Sequence, residues 1–85
     1  MLKDKTFTYR RHTFQVRARL LEKGWSVQVY ANEKSISPPY TVTHETAVDY
    51  ATAGWGHAVE ALMHTAQTDV EEEHLPEVKM FFKSS

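Results

Sequence analysis

Apolar and polar side chains alternate one by one in the first part of the chain. Between residues 13 and 21 every second position is apolar: Phe14, Val16, Ala18 and Leu20. A period of two residues turns one side of an extended chain toward a core and the other toward solvent. The stretch from Thr13 to Leu21 is therefore predicted to be a half-buried β-strand.

Two further strands are predicted after this one. Glu22-Lys23-Gly24 has the composition of a turn, and the alternation resumes from Trp25 to Tyr30, which predicts a β-hairpin. A shorter alternating stretch runs from Tyr40 to His44, after a loop in which Pro38 and Pro39 exclude a central strand. We expect a three-stranded antiparallel meander, to which residues 6–9 could add a short lead-in strand.

The period changes after residue 44. Eight apolar positions fall within one arc of about 120° on a helical projection; they are Ala47, Val48, Ala51, Trp55, Ala58, Val59, Leu62 and Ala66. This pattern predicts one long amphipathic helix, with Thr43 as its N-cap and Glu45 near its positive end. Asp69 would lie on the apolar side, so the core-facing part is expected to end near Ala66.

Gly54-Trp55-Gly56 is the most unusual local segment of this predicted helix. Each glycine inside a helix costs about 1 kcal/mol relative to alanine, so two of them call for a packing reason. We expect Trp55 to fill the core opposite Trp25. The alternatives are a kink in the helix or a helix–helix contact across a dimer axis.

The predicted fold class is α+β, with the three-stranded meander packed on one long helix and the C-terminal tail able to add a fourth short strand. Residues 1–85 are expected to form a single small domain in which 1–5 and 83–85 are flexible ends. The chain has no cysteine, no apolar run long enough to span a membrane and no secretory signal pattern. We expect a soluble, cytoplasmic protein that does not bind membranes.

Catalytic and metal-binding patterns are missing from the sequence. There is no glycine-rich phosphate loop among three glycines, and no serine has a histidine and an aspartate near it in sequence. His57, Glu60 and His64 share one polar helix side, but His57 and His64 are two turns apart, too far for direct ligation of one ion. We therefore expect no enzyme activity, no cofactor and no metal; a small-ligand or metal site at these three residues is the third hypothesis.

Small size favours association with another chain. An 85-residue domain without disulfides buries too little surface to be more than marginally stable alone. The tail, residues 78–83, is too apolar for a solvated terminus and either docks on its own core or packs on a second subunit. The predicted dimer contacts are Val78, Met80, Phe81 and Phe82. The leading expectation is a protein–protein interaction module that acts as a homodimer, its partner being itself or another protein.

Charge is distributed unevenly along the chain and suggests the alternative function. Residues 1–30 hold seven basic and two acidic side chains, whereas residues 45–77 hold eight acidic side chains and no Lys or Arg. The outer side of the sheet could bind nucleic acid, and the candidate contact residues are Arg10, Arg11, Arg17, Arg19 and Tyr30. A pI near 6.5 counts against this alternative. The same basic sheet face could instead meet the acidic helix of a second copy.

Overall fold

The computed structural model describes residues 2–84. Within that range the chain forms five strands and three helices: β1 Leu2–Tyr9, β2 His12–Leu20, β3 Gly24–Ala31, β4 Lys34–Ser35, β5 Tyr40–Thr43, α1 His44–Thr52, α2 Ala58–Glu71 and α3 Pro76–Ser84. The strands form one antiparallel sheet in which β1 pairs with β2 and β2 with β3. Both β4 and β5 pair with the far side of β3. The α+β class and the antiparallel meander are confirmed.

The first strand is longer than the predicted lead-in over residues 6–9, so the sheet is not limited to three strands. It pairs with β2 residue by residue, from Leu2 opposite Arg19 to Tyr9 opposite His12. Arg10 and Arg11 make the turn with φ of 53° and 66°, the left-handed backbone conformation that both central residues of a type I′ hairpin turn require. The alternation is obscured in β1 because Lys3 and Lys5 occupy positions on the core side, at the edge of the sheet.

The prediction of one long helix is wrong. Residues 53–57 separate α1 from α2, and within them Gly54 and Gly56 have φ of +82° and +88°. These left-handed conformations take the chain out of the helix, which is the reason for the two glycines. Thr43 does cap α1, since its Oγ1 accepts a 3.1 Å hydrogen bond from the Thr46 N–H.

The helical break also changes which side chains are buried. Trp55 lies in the connection with 69% of its surface exposed, so its predicted place in the core opposite Trp25 is wrong. Its ring instead meets Tyr50 edge to face, with 5.3 Å between centroids. Because α2 is a separate helix that begins at Ala58, its buried side includes Val70, four residues beyond Ala66. The core-facing side of α2 therefore continues past its predicted end.

The tail forms α3, and the predicted fourth strand from residues 78–83 is wrong. Pro76 occupies the first helical position, where its missing N–H is not needed. Val78 is fully buried, and Phe81 and Phe82 pack on the core at the i+3 and i+4 positions that a helix places on one side. The tail therefore docks on its own chain.

The core lies between the sheet and the helices. It contains Phe14, Val16, Ala18, Val27, Val29, Ala31, Ile36, Val59, Met63, Ala66, Val70 and Val78. Helix α1 contributes no buried residue. Residues 2–5 lie in β1 and residue 83 in α3, residues 1 and 85 lie outside the described range, and the flexibility of both ends stays a prediction. No helix within residues 2–84 has both the length and the apolar character needed to cross a membrane.

Candidate functional site

Two surfaces of the molecule are candidates for function, and the first is the outer face of the sheet. Strand pairing places Gln15 opposite Tyr30, Arg17 opposite Gln28 and Arg19 opposite Ser26. Residues opposite one another share a face, and the alternate positions of β2 and β3 are buried, so these polar side chains all point away from the helices. The sequence alternation predicted this side of the sheet correctly.

Arg17 and Tyr30 make the main contact on this face. The guanidinium carbon lies 4.6 Å from the centroid of the Tyr30 ring, a cation–π distance. Nε and Nη2 of Arg17 donate to Oε1 of Gln15 at 3.1 and 2.6 Å. A shallow cavity of about 190 Å³ lies beside this pair and is also lined by Arg19 and Asp4. The face therefore holds two cations and, in the same cavity, one acid.

Arg10 and Arg11 do not join this surface. They form the turn between β1 and β2, where the Arg10 guanidinium lies 5.1 Å from the Phe82 ring centroid. Nη1 of Arg10 also donates to Oε1 of Glu73 at 3.4 Å. Arg10 is thus partly neutralised on the helix side, and the structure places the five predicted nucleic-acid contacts in two groups.

The acidic and basic halves of the chain partly neutralise one another within one molecule. Lys3 forms an ion pair with Glu60, and this ammonium donor lowers the pKa of the Glu60 carboxyl.

Of the three residues considered as metal ligands, His57 precedes α2 at its N-cap position. Among residues 2–84, no three His, Asp or Glu side chains come close enough to hold a metal ion.

The four predicted dimer contacts have different environments. Val78 is fully buried, and Phe81 and Phe82 pack against the rings of His12 and Phe14 at centroid distances of 5.0–6.1 Å. Met80 is 67% exposed. Most of the apolar surface of the tail is therefore used inside the chain, which leaves little of it for a second subunit.

The second surface was not predicted and is apolar. We call it the tryptophan surface; it consists of Leu21, Trp25, Val42, Ala47, Val48 and Trp55. Trp25 lies between two hollows of about 310 and 230 Å³, one lined also by Leu21 and Val42 and the other by Ala47. Val48 follows Ala47 on α1 and Trp55 lies in the connection after this helix, with 62% and 69% of their surfaces exposed. The sequence feature that points to this surface is Trp55 between Gly54 and Gly56, because a residue flanked by two glycines is typical of a loop.

Comparison of the chain with protein-family models, with curated proteins and with solved structures found no match. Its function must therefore be inferred from the chemistry of these two surfaces. The outer sheet face is polar with little net charge. The tryptophan surface exposes the large apolar side chains of Leu21, Val48 and Trp55.

Proposed function

We propose that the chain is a non-enzymatic protein-interaction module that binds a second protein through the tryptophan surface. The observation that carries the proposal is the exposure of Val48 on α1 and of Trp55 just after it, together with the lack of any fully buried residue in this helix. A nine-residue helix is marginal in water unless packing stabilises it. A bound partner would supply the burial that α1 lacks.

Aromatic side chains also fit this role because they contribute most to binding energy at protein interfaces. Tryptophan and tyrosine are enriched among residues whose truncation weakens complexes by 2 kcal/mol or more. Trp55 and Tyr50 contact each other edge to face, which restricts the tryptophan before a partner arrives. A restricted aromatic side chain loses less conformational entropy on binding.

The charges around this surface indicate the chemistry of the partner. Helix α1 carries Glu45 and Asp49, whereas Lys23 and Lys3 line the hollows beside Trp25. Lys3 is paired with Glu60, so acidic side chains remain in excess around this surface. The partner is therefore proposed to present an apolar stripe flanked by basic side chains, such as one side of a basic amphipathic helix.

The test uses two synthetic helical peptides of the same apolar spacing, one built from Leu and Lys and the other from Leu and Glu. Calorimetry and tryptophan emission follow each titration. We expect the Leu/Lys peptide to bind at least about tenfold more tightly than the Leu/Glu peptide, and Trp55→Ser to weaken its binding by about tenfold or more.

Met80→Ser is the matched control, because Met80 is exposed to a similar degree but lies on α3. It should leave the affinity for the Leu/Lys peptide unchanged. Equal binding of both peptides, or equal affinity in the wild type and Trp55→Ser, would overturn the proposal.

A second candidate function is nucleic-acid binding, favoured by the meeting of Arg17, Arg19 and Tyr30 around one cavity. Two arginine–phosphate contacts on a single strand predict a log–log salt slope of about −1.4, or a loss of about sevenfold between 50 and 200 mM salt. Fluorescence anisotropy of a labelled single-stranded oligonucleotide measures this slope. Unchanged affinity in the double variant Arg17→Glu, Arg19→Glu would exclude the outer face as the binding site.

A further inference from the structure

The free edge of the sheet is formed by β1. Within residues 2–84 this eight-residue strand pairs only with β2. Alternate residues of an edge strand direct their N–H and C=O groups away from the sheet, where they can pair with another strand. Natural edge strands are commonly protected by prolines, bulges or charges, and here Lys3, Asp4 and Lys5 are the charged residues.

We infer that β1 pairs antiparallel with β1 of a second copy across a two-fold axis, joining the two sheets into one. The inference goes beyond the proposed binding of a second protein at the tryptophan surface, which is a different part of the molecule. It assigns a surface to the homodimer expected from the small size of the chain, in place of the tail.

The charges of β1 exclude two of the registers available to such a pair. With the axis at Lys5, Lys5 lies opposite the partner's Lys5. With the axis at Asp4, Asp4 lies opposite the partner's Asp4, and Lys3 opposite the partner's Lys5. Like charges directly opposite each other destabilise a sheet, so neither register is favoured.

With the axis at Thr6, no like charges lie directly opposite each other. Lys3 lies opposite the partner's Tyr9, Asp4 opposite the partner's Thr8, and Lys5 opposite the partner's Phe7. Phe7 and Tyr9 are only half-buried within one copy, and the aliphatic stems of the facing lysines would cover their exposed sides. An axis at Phe7 also avoids repulsion, but it aligns only residues 5–9. Of the registers compared, the Thr6 register therefore gives the longest pairing in which no like charges are directly opposed.

Cysteine cross-linking tests the register, because the natural chain contains no cysteine. In the Thr6 register the two copies of position 6 face each other, at a Cα separation of about 5.5 Å, within the range for a disulfide. The two copies of position 8 lie about 13 Å apart along the strand. We expect Thr6→Cys to form a disulfide-linked dimer under mild oxidation at least about tenfold faster than Thr8→Cys.

Thr8→Cys is a matched control because Thr6 and Thr8 are both exposed and on the same face of β1. Equal rates for the two variants would show random collision and would overturn the inferred register.

A charge variant tests the interface by light scattering. Thr6→Lys places two lysines opposite each other at the axis and should weaken the dimer by about tenfold or more. Thr41→Lys adds the same charge to the same sheet face at the opposite edge and should have no effect. A monomeric wild type, or a dimer that Thr6→Lys leaves intact, would overturn the inference. Peptide binding at the tryptophan surface is measured separately, so its loss or survival reports only on the proposed function.

Discussion

The Tyr40 hydroxyl donates a 2.6 Å hydrogen bond to Oδ2 of Asp69 and thereby joins the first residue of β5 to the end of α2. Oδ1 of the same carboxylate lies 3.2 Å from Nδ1 of His74. This pairing explains why an acidic residue is tolerated where the helix turns toward the core. Burial of the phenol, together with its hydrogen bond to Asp69, raises the pKa of Tyr40.

Tyr40→Phe is expected to lower the free energy of unfolding by about 1–2 kcal/mol at neutral pH, because it removes this hydrogen bond to a carboxylate. The pKa of Tyr40 in the folded chain lies above its ordinary value of 10.0. The hydrogen bond from Tyr40 therefore contributes fully to the free energy of unfolding below pH 10.0, and its contribution decreases as the pH rises further. Urea unfolding across this range should show a shallower alkaline decrease in Tyr40→Phe than in the wild type.

Tyr50→Phe is the control for the loss of a phenol hydroxyl, since Tyr50 contacts the ring of Trp55. It should lower the free energy of unfolding at neutral pH by less than Tyr40→Phe does, because it removes no hydrogen bond to Asp69. Equal losses in the two variants would contradict the assignment.

The glycines of the connection between α1 and α2 are expected to matter for their backbone conformation. At Gly54 and Gly56 an added Cβ would meet no atom within 4 Å, but both residues have positive φ. Alanine at either position should therefore reduce stability by about 1–2 kcal/mol through backbone strain alone. Thermal unfolding measures this change.

Gly24 provides the contrast, because its φ is not in the left-handed region but its surroundings are crowded. A Cβ there would collide with the Val42 carbonyl oxygen and lie 2.8 Å from Cα of Thr43. Gly24→Ala must separate β3 from β5 and should be more destabilising than Gly54→Ala. If Gly54→Ala were the more destabilising variant, separating β3 from β5 would cost less free energy than the backbone strain at Gly54.

Alternation predicted β2 and β3 well because a period of two residues determines which side of a paired strand is buried. The helical projection failed between Thr52 and Ala58 because it counts residues 53–57 as helical, whereas Gly54 and Gly56 redirect the chain. The tryptophan surface exists only because of that break, so it could not be predicted from a continuous helix. The position of Arg10 could not be predicted from alternation, because it depends on the contact of its guanidinium with the Phe82 ring on α3.

Val78→Ala tests whether the tail belongs to the core of its own chain. Val78 is fully buried, so its truncation should lower the free energy of unfolding by about 2 kcal/mol through lost burial and a small cavity. Lys79→Ala, at an exposed neighbouring position, should change it by less than about 0.5 kcal/mol. A loss that appears only at high protein concentration would instead place Val78 between subunits.

Collisional quenching should distinguish the two tryptophans. Trp55 is 69% exposed, whereas Trp25 is partly buried against the core. Iodide should therefore quench the emission of Trp25→Phe, which retains Trp55, several times more strongly than that of Trp55→Phe. Circular dichroism of both variants checks that the fold is retained. Similar quenching of the two would contradict the exposure of Trp55, and with it the apolar surface on which the proposed function depends.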